Sequence, residues 1–313
     1  MSTTLTPIPT SIEVETSADR LRHSFSAMRV SFTWLGVRKS LSSDQRQQAA
    51  RQFGAEERYI SAGKKLIDTA HPAMRAVNQI RRQIVDYWKA MSLPFPEAGI
   101  RLVRQDELEQ LNGQLELFSE QLAGAVGDLQ AAYDEIQQQS RERLGSLYCE
   151  SDYPASFVGL FAVEWGFPNV EPPDYLRRLR PEIYQQECSR IRTKFTEAVQ
   201  LAEHGFVEEL SALVSHLSER LTGSDDGRPK VFRDSVIENL GEFFERFGRL
   251  NISSSDELDE LVQRARNIVV GVHPQTLRDD QPLRQQVATQ LSSVQSMLDG
   301  LMIDRPRRRI LRG

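Results

Sequence analysis

The chain has 313 residues, of which 39% are apolar and 27% charged, with a formal net charge of −5. This balance sustains a buried core and excludes a wholly disordered chain. No run of 18 apolar residues occurs, and the polar, acidic opening 17 residues do not read as a cleavable leader, so a cytoplasmic protein without a membrane span is expected.

Charge is unevenly spread. Residues 1–100 hold 14 Lys+Arg against 9 Asp+Glu, residues 101–200 hold 10 against 17, and residues 201–313 hold 15 against 18. The first third is therefore the basic end. Cys149 and Cys188 have no CxxC spacing and no neighbouring His, so both read as small buried hydrophobes rather than as a disulfide or zinc framework.

In chain order, residues 1–17, rich in Thr, Ser and Pro, read as a flexible arm. Apolar residues then alternate through Met28, Val30, Phe32 and Trp34, the period of a half-buried strand. A short helix spans 43–53, started by Ser42 or Ser43 and ended by Gly54. His71-Pro72 opens an amphipathic helix through Met74, Val77, Ile80, Ile84, Tyr87 and Trp88, which Leu93-Pro94-Phe95-Pro96 follows as a stop. Gly99 to Val103 reads as a short strand.

The strongest periodicity repeats every seven residues as Leu108, Leu115, Leu122, Leu129 and Ile136, with Leu111, Phe118, Ala125 and Ala132 interleaved. A helix over 105–147 would be roughly 60 Å long. A second long pattern runs from Pro181 to Leu221, and two such arms most simply pair antiparallel. Between them, Tyr148 to Tyr175 holds seven of the chain's 24 aromatics and several prolines. Gly223 to Pro229 reads as a loop, followed by helices over 231–249, from Ser254 or Ser255 onward, and over 283–301.

These elements group as an arm (1–17), an N-terminal α+β part (18–104), a long helical hairpin (105–222) with an aromatic insertion (148–180), a C-terminal helical part (230–302) and a basic tail (303–313). The expected fold class is mainly α with a small antiparallel β element, built as a long antiparallel coiled-coil-like hairpin plus a helical bundle.

Phosphate-binding Gly loops, nucleophile elbows and HExxH spacings do not occur, so neither an enzyme nor a cofactor nor a metal is expected. Two binding surfaces are legible. The aromatic insertion reads either as a packed cap or as a surface for a protein partner, with Tyr153, Phe157, Phe161, Trp165 and Phe167 as anchors. Arg75, Arg82 and Lys89, seven residues apart with Arg81 beside them, read either as a solvated helix face or as a phosphate-binding stripe, to which Arg307, Arg308 and Arg309 of the tail would add. A heptad seam is satisfied within one chain or between two copies, so a homo-oligomer is a further reading.

Three strings carry a resemblance: Gly63-Lys64-Lys65-Leu66-Ile67-Asp68, Phe232 to Leu240, and Gly271-Val272-His273-Pro274-Gln275-Thr276-Leu277-Arg278 leading to Leu283-Arg284. Through them the chain resembles, over most of residues 25–300, a family of bacteriophage and conjugative-element proteins known as a domain of unknown function. Members tend to be encoded beside a MoxR-like AAA+ ATPase and a protein with a von Willebrand factor A domain. The resemblance implies an accessory or adaptor role beside that motor. The residues read as a non-enzymatic protein that holds a protein partner, with that ATPase or the von Willebrand factor A domain protein as candidates, or alternatively as a nucleic-acid-binding accessory factor in DNA processing, recombination or repair.

Overall fold

The computed structural model describes residues 15–222 and 235–303. Of the described residues, 69% are helical and 11% lie in strands, which bears out the mainly α reading with small antiparallel β elements. Residues 1–14 of the expected arm, the Gly223 to Pro229 loop and all but the first residue of the basic tail lie outside the described residues.

Local chemistry explains most element boundaries. The Asp19 N–H donates to Thr16 Oγ1 (3.2 Å) while the Asp19 carboxylate accepts the Thr16 N–H, a capping box that starts α1 (Ser17–Ser24). The expected alternating strand follows as β1 (Phe25–Trp34). β2 (Arg38–Ser40) precedes α2 (Ser43–Gln52), which Ser42 and Gln45 cap in the same reciprocal way and which gives way to Gly54 at φ 63°. Then come β3 (Gly63–Lys65) and α3 (Pro72–Ala90), the latter begun by proline, whose missing N–H costs nothing in a first turn.

α3 stops ahead of Leu93-Pro94 as expected, and Ser92–Pro94 forms β4, paired antiparallel with β5 (Ile100–Arg104). The expected continuous helix over 105–147 is two, α4 (Leu108–Ala131) and α5 (Tyr133–Leu144). The break at Ala132 falls where the 154–157 segment docks. Tyr133 donates its hydroxyl to the Pro154 carbonyl (2.6 Å), and Gln130 Oε1 accepts the Phe157 N–H (2.8 Å). After β6 (Phe161–Gly166) the chain is helical: α6 (Asp174–Leu179), α7 (Pro181–Thr222), α8 (Ser235–Leu250), α9 (Asp256–Val269) capped by Ser255, α10 (Pro274–Asp279) and α11 (Gln281–Ile303).

The chain divides into two compact units: the larger comprises residues up to Ala27, Ser92–Gln105 and those from Asn169 on, the smaller Met28–Met91 and Asp106–Pro168. In the larger, α7 buries Phe195, Ala198, Ala202, Phe206, Leu210, Val214 and Leu217 at three- and four-residue steps. Its principal cover is α11, laid antiparallel so that Ser211 meets Gln295 and Ser218 meets Ser292. α8 adds Phe243 and Phe247, the latter ring 4.9 Å from that of Phe206.

In the smaller unit, α3 and α4 pack against each other. Met74, Val77, Ile84 and Trp88 of α3 are buried, as are Leu111, Leu115, Leu122 and Leu129 of α4, with Tyr87 and Phe118 in edge contact at 5.9 Å. β1 pairs antiparallel with β6 in the register Phe32↔Val163 and Trp34↔Phe161, and Trp34 meets the Phe161 ring edge-on at 5.1 Å.

Six of the nine heptad residues are buried, with Leu108, Phe118 and Ala132 partly so, and within their own units α4 packs on α3 and α7 on α11. A seven-residue apolar repeat specifies that a helix needs a cover, and any amphipathic helix of matching length can supply it. The burial pattern carries its own test. Leu115 is fully buried and Leu117 is 52% exposed. Leu115→Ala should cost about 2–5 kcal/mol in chemical denaturation, whereas Leu117→Ala should stay within about 0.5 kcal/mol; equal effects would contradict the packing.

Candidate functional site

In the smaller unit the β2–β3 ladder places Arg38 opposite Lys65 and Lys39 opposite Lys64. Like charges directly opposite destabilise a ladder. Asp152 relieves the inner pair, with Oδ1 2.6 Å from the Lys39 ammonium and Oδ2 2.5 Å from that of Lys64. The Lys64 and Asp152 side chains are only 5% and 4% exposed, and the Lys64 ammonium also donates to the Leu147 carbonyl (2.7 Å). The Lys39 hydrogen bond, then that of Lys64, holds the Asp152 carboxyl below its usual range. Stacked Tyr148 and Tyr153 rings, 5.0 Å apart, flank this staple, and the Tyr153 hydroxyl donates to the Leu66 carbonyl (3.1 Å).

Between β3 and the start of α3 lies a cleft of about 250 Å³, lined by Lys65, Asp68, His71, Gln139, Ser140 and Arg143 over an apolar floor of Ile136 and Leu144. Asp68 accepts from the Ala70 N–H (3.0 Å), Arg143 (2.6 Å) and Lys65 (3.2 Å), which hold its carboxyl well below the usual carboxylate range. His71 Nδ1 is shielded from solvent without a hydrogen bond. The Ser140 hydroxyl is spent on the Leu66 carbonyl (2.8 Å), so the cleft holds no serine–base pair. Among the described residues no group of three or more His, Cys, Asp or Glu is placed to hold a metal ion.

The sequence-derived residues separate sharply. Arg75, Arg82 and Lys89 are exposed on α3, while Arg81, also exposed, lies over the Trp34 and Phe32 rings at 4.8 and 5.1 Å from their centroids. Arg307, Arg308 and Arg309 lie outside the described residues. The aromatic insertion is mostly core: Tyr153, Phe157 and Phe161 are buried, and Trp165 is partly buried with its indole N–H on Asn112 Oδ1 (2.8 Å). Only Phe167 of the five expected anchors is exposed. Strand pairing explains the difference, because β6 turns Phe161, Val163 and Trp165 to one face of the ladder. Cys149 is exposed, not buried, and Cys188 partly so.

Sequence reasoning missed the Lys39–Asp152–Lys64 staple, whose members are 113 and 88 residues apart from Asp152, and the exposed rings of Phe53 and Tyr59. The doubled lysine at 64–65 was the one local signal. The class this defines is a mainly helical protein with small antiparallel sheets, in which α3 exposes Arg75, Arg82 and Lys89. The chain matches no protein family, no curated protein and no solved structure with which it was compared.

Asp152→Ala leaves the Lys64 ammonium buried beside a lost counter-charge, an expected penalty of about 3–5 kcal/mol. Asp68 and Asp152 both bind protons less readily in the folded state, so their contribution is complete above the ordinary carboxylate pKa of about 4 and is lost as pH falls below it. Denaturation followed from pH 7 to pH 3 should therefore show a shallower decline for Asp152→Asn. An unchanged pH profile together with an unchanged midpoint for Asp152→Ala would contradict the buried-pair account.

Proposed function

We propose that the chain is a nucleic-acid-binding accessory protein whose smaller unit meets the phosphate backbone through α3 and the β2–β3 hairpin. The observation that supports this is charge placement: residues 28–91 hold 12 Lys+Arg against 5 Asp+Glu, in a chain whose net charge is −5. On α3 the exposed Arg75, Arg82 and Lys89 stand two turns apart, about 10 Å per step. Exposed Arg38 and Lys65 extend the cationic surface onto the hairpin. Cations so placed displace condensed counterions from a polyanion, which gives affinity without base readout and makes it steeply salt-dependent. The resemblance to phage and conjugative-element proteins gives the setting, DNA processing or element maintenance in the cytoplasm.

A second reading, the adaptor that holds a protein partner, now leans on different residues. Tyr175, Leu179 and Ile183 are exposed at four-residue steps across the α6–α7 junction. An AAA+ motor or a von Willebrand factor A domain protein from the same element would be the partner, and Leu179→Asp should then abolish co-elution with it, whereas undiminished co-elution would remove this reading.

For the leading reading, Arg75→Glu, Arg82→Glu and Lys89→Glu combined should weaken oligonucleotide binding at low salt and lower the slope of log affinity against log salt by about 3. Titration by fluorescence anisotropy at several salt concentrations measures both. Wild-type protein that binds no oligonucleotide even at low salt would refute the proposal, as would a variant with wild-type affinity and slope.

A further inference from the structure

Resting on the nucleic-acid reading, we infer that the α2 excursion of the β2–β3 hairpin is a stacking platform for unpaired bases, so that the ligand is single-stranded nucleic acid rather than closed duplex. β2 and β3 share only three rungs, yet residues 41–62 run between them, far more chain than the 2–5 residues a hairpin requires. This excursion displays two aromatic rings in water. Phe53 is 78% exposed and Tyr59 76% exposed, whereas Tyr133, Tyr153, Phe157 and Phe161 of the same unit are buried.

Both rings sit on a folded support. The Phe53 N–H closes α2 onto the Ala50 carbonyl (3.1 Å), and the Tyr59 N–H closes a short 3₁₀ turn onto the Glu56 carbonyl (3.0 Å). Glu57 joins the two pieces, accepting from the Ser43 hydroxyl (2.8 Å) and pairing with Arg46. The Arg58 guanidinium lies 4.9 Å from the Tyr59 ring centroid. Over residues 38–65 there are 7 Lys+Arg against 3 Asp+Glu, so the rings stand in a positive field.

Exposed aromatics beside arginines match the chemistry of single strands, in which every base offers a π-face and every linkage a phosphate. A duplex hides its base faces in the stack and would leave both rings idle. A membrane surface fits less well, because the exposed positions of α2 include Gln47, Gln48 and Arg51 and no aliphatic side chain to insert.

The experiment is anisotropy titration of the full chain with a labelled oligothymidine and with a duplex of equal length, with anionic phosphatidylserine vesicles as a third arm. Wild-type protein should prefer the single strand by about tenfold or more. Phe53→Ala with Tyr59→Ala should lose roughly tenfold per ring on the single strand while duplex affinity and salt slope stay unchanged. Phe53→Trp with Tyr59→Trp should retain single-strand affinity, which separates stacking from folding defects. Equal wild-type affinity for both forms, or an alanine variant that binds the single strand as wild type does, overturns this inference and leaves the phosphate-binding reading standing. Loss of vesicle binding alone in the alanine variant also overturns it, and wild-type protein that binds neither oligonucleotide overturns both.

Discussion

An apolar stripe running from Ile191 to Leu221 cannot be left in water, and the organisation of the larger unit follows from that constraint. α7 carries eleven buried residues along its 42, and α11, α8 and α9 are spent covering them. In the smaller unit α4 makes the same demand on α3. Helices whose apolar faces are committed in this way present only their outer faces to other molecules. The stripes are the scaffold, and function falls to the charged and aromatic side chains that packing leaves outside.

On the smaller unit the cations are concentrated in residues 28–91, with 12 Lys+Arg against 5 Asp+Glu, whereas residues 106–168 hold 2 against 12. The hairpin brings four basic residues onto two facing strands, an arrangement whose self-repulsion has to be relieved. Asp152 neutralises the inner pair and Asp68 draws on Lys65 and Arg143, so the hairpin can keep its charge density and remain folded. Arg75 and Arg82 stay exposed on α3, and Arg81 is laid across Trp34 and Phe32.

Elements set by local periodicity and caps were legible in the sequence. β1, the Ser42 cap of α2, proline-begun α3, the Ser255 cap of α9 and the buried heptad positions of α4 all stand where residue spacing places them. What local pattern does not encode is the choice of partner. Leu115 and Leu210 signal that their helices need covers, but neither stripe says that the cover is α3, the preceding helix, in one case and the far-off α11 in the other. For the same reason β6 was hidden inside an aromatic-rich stretch that reads equally as a packed cap or as a surface, and it is strand pairing that turns Phe161 inward. The α3 cations were found because a seven-residue spacing is visible on paper. Phe53 and Tyr59 were not, because exposure of a ring is decided by what fails to pack on it.

The central claim is that the cationic half of the smaller unit is the face that meets nucleic acid. Hydrogen–deuterium exchange of the full chain with and without a saturating single-stranded oligonucleotide tests it most directly. Protection confined to residues 38–65 and 72–90, with α7 and α11 unchanged, is the result the account predicts. Protection centred on α6 and α7, or an exchange pattern indifferent to the oligonucleotide, would contradict it.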